Sequence, residues 1–484
     1  MLFRYVMLAE NDVRVSRNGQ KEKEMKIVVI GDGKIGFTVT QALVKEGHDL
    51  VVIDNQSAAL KQTEDSLDVQ VLEGNGASVS IQKQAGVDHA DLMIAVTEAD
   101  ETNLLCCMIA RHLGCANTIA RIRSPEYNED VYLLKEGLGL SMVVNPERST
   151  AKQISALLQY PSFLKREKFA KGRAEIVEMS VPSGGKLDGM VLSELYKSLR
   201  VHVLVCAVER ENNVYIPDGR FTLQAGDHIY VTAATSDLLS LLKSTGYETP
   251  RVRSVLMIGG SRIAVYLTQF LAQTGVDVKI IETDLDRCNL LSEKLPKAEI
   301  IHADGTSFSV LRQEGIEEMD AVIALTNIDE QNIIASMFAH RLEVPKVVCK
   351  VNRTEYASIM SDDIRECVIT PRILTANDIL RYVRAMENRP GEGVITLHRL
   401  VSDRVEALEF AVNPSTWYVD TPLKEIPIRG DLRIALITRH GNTIVPSGED
   451  SLKMGDSCVI VTTSAGELDT LNDIFTQAPR GTRA

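Results

Sequence analysis

Short runs of apolar, often β-branched residues recur along this chain, spaced so that a helix fits between each pair. KIVVIG, DLVVID, VQVLEG, LMIAVT and TIARI form a first series between residues 26 and 122. SVLMIG, VKIIET, EIIHAD, AVIAL and KVVCKV form a second between 254 and 351. Runs that are apolar throughout fit strands covered on both faces. Strands alternating with helical stretches predict parallel pairing through right-handed crossovers. The reading is therefore α/β: two tandem Rossmann-like domains, each a doubly wound parallel sheet. After each series the pattern changes to short alternating strands with Gly-Asp and Pro-x-Gly turns, which predicts a small α+β domain of roughly 80 residues.

The two halves are copies of one another. Gly31 and Gly259 hold the same place in matching segments, VVIGDGKIGFTV (28–39) and LMIGGSRIAVYL (256–267), and VVIDN (51–55) matches KIIET (279–283) in the same frame. EGNGAS matches HADGTS, AVTEADETN matches ALTNIDEQN, and ARIRSPEY matches CKVNRTEY, one residue further out of step. The match continues into the small units, where AEIVEMSV pairs with VEALEFAV and IPDGRFTLQAGDHIYVT with VPSGEDSLKMGDSCVIVT. The order is large, small, large, small, with plain linkers at STGYETPRVRS (244–254) and MENRPGEGV (386–394). We expect domains at 25–148, 165–248, 252–373 and 392–477, with residues 1–24 as a poorly ordered extension. Pro146 and Pro371 each open a helix joining large unit to small, either an ordinary link or a crossover arm in a dimer.

Composition narrows the function. A length of 484 residues, 44% of them hydrophobic, supports several cores, and a net charge of −13 argues against general binding of nucleic-acid backbones. KREKFAKGR (165–173) is a local basic run, read as a solvated linker. Eight cysteines without a CxxC pair predict reduced, buried thiols rather than disulfides or zinc ligands. No apolar run approaches the ~20 residues needed to span a bilayer.

The candidate chemistry sits at the first strand–helix turn of each copy. In GDGKIG, Gly31 makes the tight turn, Gly33 lets the backbone approach a pyrophosphate and Gly36 lets the helix pack closely on the strand. The helix N-terminus, with Asp32, Lys34 and Ile35 around it, offers free N–H groups to the phosphates. Asp54 ends the second strand, where its carboxylate would accept the ribose hydroxyls and repel a 2′-phosphate, favouring NAD(H) over its phosphorylated form. Copy two is altered: Gly259, Gly260, Ser261, Arg262 and Ile263 precede an alanine, and the acid is Glu282. Ser261 in place of Gly33 is expected to crowd the phosphate. Thr97 and Glu98, with Thr326 and Asn327, follow a strand at the carboxyl edge of each sheet, where ligands bind. Arg121 and Lys350 end the next strand, placed to meet phosphate, to meet a partner's nucleotide in trans, or simply to be solvated; Asn75 and Asp304 follow the third strand.

A nicotinamide enzyme also needs an acid or base beside its cofactor. His202, His228, His398 and His440 in the small units stand in no glycine-flanked or acid-paired motif, and the residues common to both small units are turn formers. No P-loop, HExxH or nucleophile elbow is present. Three readings remain from the residues: a nucleotide sensor that is not an enzyme, an NAD-dependent oxidoreductase, and an assembly scaffold with empty pockets.

KIVVIGDGKIG, VVIDN, AVTEADETNLL and ARIRSPEY, with IGGSRIA, IIETD and ALTNIDEQN from copy two, resemble the RCK or KTN regulators of potassium transport. The resemblance covers about residues 25 to 480 and extends to the RCK C-terminal type of the small units. It implies a cytoplasmic regulatory subunit, peripheral on the inner face of the membrane. Such a subunit associates as a dimer or tetramer and gates a membrane potassium-transporting subunit as NAD(H), or ATP and ADP, exchange. By position, Gly31, Asp32, Gly33, Lys34, Ile35, Asp54, Thr97, Glu98 and Arg121 match the family's first nucleotide site. Gly259 to Ile263, Glu282, Thr326, Asn327 and Lys350 match the second. Ser261 and the 24-residue leader depart from the pattern.

Overall fold

The computed structural model describes residues 25–124, 127, 135, 137–159, 165–169, 174–211, 213–245, 252–353, 356, 368–387, 394–401, 404–463, 468 and 470–479. The N-terminal extension, most of both linkers and residues 170–173 of the basic run lie outside them. The chain divides into two compact units, one ending at Val144 and the other beginning at Asn145.

The first unit is one parallel sheet of six strands: β1 (Lys26–Ile30), β2 (Asp49–Asp54), β3 (Gln70–Glu73), β4 (Leu92–Ala95), β5 (Thr118–Arg121) and β6 (Met142–Val144). Its order, β3-β2-β1-β4-β5-β6, reverses direction between β1 and β4. That reversal opens a crevice at the carboxyl ends of the two strands. β1 reads as an apolar run because helices cover both its faces; Ile27 through Ile30 are all buried.

The second unit holds the remaining three sheets. β7 (Lys165–Phe169), β8 (Ala174–Ser180), β9 (Leu204–Arg210), β10 (Asn213–Tyr215) and β11 (His228–Ala234) form an antiparallel sheet in the order β10-β9-β11-β8-β7. β12 (Ser254–Ile258), β13 (Asp277–Glu282), β14 (Glu299–His302), β15 (Ala321–Ala324), β16 (Lys346–Lys350) and β17 (Val368–Ile369) repeat the parallel sheet strand for strand, as β14-β13-β12-β15-β16-β17. β18 (Val394–Leu400), β19 (Val405–Ala411), β20 (Leu432–Arg439), β21 (Asn442–Ile444) and β22 (Ser457–Thr462) repeat the small sheet. Its order, β18-β19-β22-β20-β21, is that of the first small sheet listed from the other edge. The two small sheets share a core in which Phe169, Ile176, Cys206 and Tyr230 pack with Leu400, Val405, Ala407 and Val461.

Three sequence expectations change. Lys165–Phe169, read as a solvated linker, is a strand paired antiparallel with β8. Each large sheet gains a sixth strand, β6 or β17, ending one residue short of the proline that starts a helix; two or three residues are too few to show a period. The helix Pro146–Gln159 does more than connect: Ala151, Ile154 and Leu158 are buried against Val265, Leu267 and Leu271 of the second large domain. Among the described residues seven cysteines are free, and their burial is as expected.

Candidate functional site

The site is built at the carboxyl edge of each parallel sheet. After β1, Gly31 takes φ +100, a region closed to most side chains, and a Cβ there would lie 2.8 Å from the Thr97 amide nitrogen. A Cβ on Gly36 would lie 1.8 Å from the Gly31 carbonyl, so the helix Lys34–Lys45 rests directly on the turn. Gly33 differs: its backbone is extended, and a Cβ on it would meet nothing within 4 Å. Its glycine therefore keeps open space in front of the helix N-terminus, with Lys34 exposed and Ile35 half-buried beside it.

Asp54 closes the turn from below. Its Oδ2 accepts the Asp32 amide at 2.6 Å and its Oδ1 the Gln56 amide at 2.9 Å. A carboxylate has about four acceptor positions, so these bonds leave capacity for a ribose hydroxyl. Asn75 uses its Oδ1 to fold its own loop, taking the Ala77 amide at 2.9 Å.

Across the crevice, the sequence reading passed over the residue that organises the edge. Asn103, fully buried on the helix Asp100–Leu113, accepts both the amide (2.8 Å) and the hydroxyl (2.7 Å) of Thr97. Its Nδ2 donates to the carbonyls of Thr97 (3.2 Å) and Arg121 (2.9 Å). All four bonds of the amide are used, which ties the ends of β4 and β5 together. Asn332 makes the same four bonds to Thr326 and Lys350, at 2.8, 2.7, 3.1 and 2.9 Å. Asp100 and Asp329 each accept two amides of the loop after the fifth strand, and Glu101 and Glu330 accept the Tyr127 and Tyr356 hydroxyls. The D-E-x-N run is thus a set of loop anchors, and its recurrence in both copies was the available signal.

This repeated architecture has relatives. The TrkA-N domain family matches residues 27–146 and 255–371, and the TrkA-C domain family residues 176–246 and 407–476. The chain belongs to the TrkA family. A Trk system potassium uptake protein TrkA homolog of Methanosarcina mazei is 31% identical over 444 residues, 90% of this chain and 97% of that protein. The TrkA of Vibrio alginolyticus is 28% identical over 459 residues, 94% and 99% of the two chains. The GsuK RCK domain crystal structure shares the fold, with a TM-score of 0.60 at 20% identity over 92% of this chain and 94% of that one. The GsuK channel bound to NAD superposes with the same score at 19% identity, over 92% and 78%.

Within the TrkA frame the two crevices differ in detail. Arg121 and Lys350 are both buried, so solvation does not explain them; the Arg121 Nη1 donates to the Val96 carbonyl at the end of β4. Glu98 and Asn327 are exposed at the rim, and the Glu98 carbonyl accepts the Arg123 guanidinium. In copy two, Gly259 takes φ +98 against Thr326, and Ser261 adopts the same extended backbone as Gly33. Serine therefore costs no backbone strain, and its Oγ is buried without a hydrogen-bond partner. Arg262 is exposed and Ile263 buried. Glu282 takes the amides of Gly260 (2.8 Å), Thr283 (2.7 Å) and Asp284 (3.0 Å). Burial opposes its ionisation, but those three amides together hold its carboxyl below the usual range. Arg287, which copy one replaces with Ala59, donates its Nε to the Gly260 carbonyl at 2.8 Å and was not foreseen. Asp304 folds its loop by accepting the Thr306 amide and hydroxyl.

The histidines need one correction. His228 is acid-paired after all, its Nδ1 lying 3.2 Å from Glu178 on the small sheet. His202 packs against the Tyr196 ring at a tilt of 41° and His440 is exposed in a turn; the His398 side chain lies outside the described residues. Among the described residues no helix is long and apolar enough to cross a membrane, and no cluster could hold a metal ion.

Proposed function

We propose that this TrkA-family chain is the regulatory subunit of a potassium uptake system. In this reading it is not an enzyme. It binds NAD(H), or ATP and ADP, in two glycine-turn pockets and gates a membrane potassium-transporting subunit of the TrkH/TrkG kind from the cytoplasmic face. The names of its relatives and the NAD carried by the GsuK channel support the ligand and the partner. Assembly as a dimer or tetramer belongs to the same reading.

One observation carries the regulatory part. The helix Arg262–Leu271, whose N-terminus faces the second pocket, is the helix against which Pro146–Gln159 packs. Phosphates held at the N-terminus of Arg262–Leu271 thus act on a helix that also carries the contacts of the linking helix. A ligand shifts such an arrangement only through unequal affinity for its alternatives, and a coupling of ~1–3 kcal/mol is the usual scale. Asp54 and Glu282 serve as ribose acceptors, and Thr97, Arg121, Thr326 and Lys350 border the pockets.

The test is thermal unfolding of the purified chain with NAD, NADH, NADPH, ATP and ADP, beside potassium uptake by cells lacking the gene. Nucleotide-dependent stabilisation that needs Asp54, with failed uptake at low external potassium, is expected. Unchanged uptake would remove the transport reading. Stabilisation by no nucleotide would reduce both turns to architecture.

A further inference from the structure

The two glycine turns differ most in what lies beneath them. In copy one Asp32 stands between Gly31 and Gly33, 5% exposed, and its Oδ2 accepts the Thr63 hydroxyl at 2.6 Å. Its Oδ1 is buried without a hydrogen-bond partner. In copy two the corresponding residues are Gly260 and Leu291. A Cβ built on Gly260 would lie 2.4 Å from Leu291 Cδ1 and 3.1 Å from Glu282 Oε2. A side chain at this place therefore runs under the loop, between the acid that ends the second strand and the helix that follows it. Aspartate with threonine in one copy, and no side chain with leucine in the other, are two fillings of the same space.

The surroundings of Asp32 do not suit a charge. From β2 it faces Asp54, a second carboxylate, whose Oδ2 takes the Asp32 amide. From the helix Ser57–Ser66 the neutral Thr63 hydroxyl donates to it. Among the described residues no lysine or arginine bonds it. Burial, opposed by the Thr63 hydrogen bond and assisted by the Asp54 charge, pushes the Asp32 carboxyl up to about 6. The next residue, Gly33, opens the helix that would hold the pyrophosphate, and adjacent Cα atoms are ~3.8 Å apart. A carboxylate beneath this turn and a pyrophosphate bound at the next residue carry like charge, and water and salt screen a buried group little.

We propose that Asp32 is a specificity-determining residue of the first pocket: its carboxylate weakens the hold on an NAD-type dinucleotide, protonation restores it, and the second pocket lacks this response. The proposal rests on the reading of the first turn as a nucleotide site. By linkage, an anionic ligand raises the proton affinity of Asp32 as much as protonation raises the affinity for the ligand. Affinity therefore falls as pH rises through about 6.

The experiment is calorimetric titration of NAD into the full chain at several pH values on either side of that point. NAD is the probe because its pyrophosphate diester keeps a constant charge there. In the wild type the first-pocket affinity should fall at least ~5-fold from the acidic to the alkaline side. Asp32→Asn should abolish the fall and remain tight at alkaline pH. Asp32→Gly with Thr63→Leu, which installs the copy-two residues, should do the same and serves if the asparagine variant does not fold. A flat wild-type profile, or an undiminished slope in a variant that still binds, overturns the proposal. No heat of binding at any pH would instead remove the nucleotide site itself, and the proposal with it.

Discussion

Asn145 caps its own helix and reaches the next domain of the same unit at once: its Oδ1 accepts the Arg148 amide at 2.8 Å while its Nδ2 donates to the Tyr266 hydroxyl at 2.9 Å. Tyr266 is buried on the helix that starts at the second glycine turn. The two residues are 121 positions apart, and their bond fixes where the linking helix begins. Asn145→Ala loses both cap and bond, about 1–2 kcal/mol, and Tyr266→Phe loses the bond alone, about 1 kcal/mol. Hydrogen exchange of the Pro146–Gln159 amides should quicken in both, more in the first. Unchanged exchange in Asn145→Ala would show that the apolar contacts hold this helix unaided.

Asn103→Ala releases Thr97 and the end of β5 together, leaving buried backbone groups unsatisfied. We expect NAD affinity at the first pocket to drop at least ~10-fold, a coupling within the ~1–3 kcal/mol worth of such groups, with the second pocket unaffected. Asn332→Ala should give the reverse pattern. Calorimetry resolves the two pockets, and a loss of both from either change would mean that the edge is not organised separately in each copy.

Stability should depend on pH through Asp32. Its folded carboxyl, near 6, lies above its ordinary value of 3.8. The folded state therefore binds more protons than the unfolded one between those values, and stability declines as pH rises across that window. Asp32→Asn removes the effect. It should be more stable than the wild type by about 1–2 kcal/mol at neutral pH, allowing for partial solvent screening, with the gap closing by about pH 4. Thermal unfolding at both ends of the range measures this, and a gap that does not change with pH would contradict it.

Each small domain carries the same buried ion pair. Asp227, fully buried, accepts Nε (2.6 Å) and Nη2 (2.7 Å) of Arg210, and Asp456 accepts those of Arg439 (3.0 and 2.8 Å). Each aspartate also takes a turn amide, from Gln224 or Lys453. Asp227→Ala or Asp456→Ala strands a partly buried guanidinium and should destabilise the chain by about 3–5 kcal/mol. A loss below about 1 kcal/mol in denaturant unfolding, the range of an exposed pair, would show that water replaces the carboxylate.

What the sequence determined by itself is local. Strand and helix periods, the duplicated order, the tight turn at Gly31 and the acids Asp54 and Glu282 follow from side-chain alternation and from backbone angles that neighbouring residues set. The tertiary structure decided what depends on partners far along the chain. Arg121 and Lys350 are cations at strand ends, which the sequence leaves open to solvent, yet both are buried where Asn103 and Asn332 bond their carbonyls from the preceding helices. Lys165–Phe169 looked like a solvated run until an adjacent strand supplied its ladder. The start of a helix at Pro146 was legible, but not what the helix covers. Hydrophobic burial is non-directional, so an apolar stripe specifies that it must be covered and leaves its cover to shape and to bonds such as that between Asn145 and Tyr266.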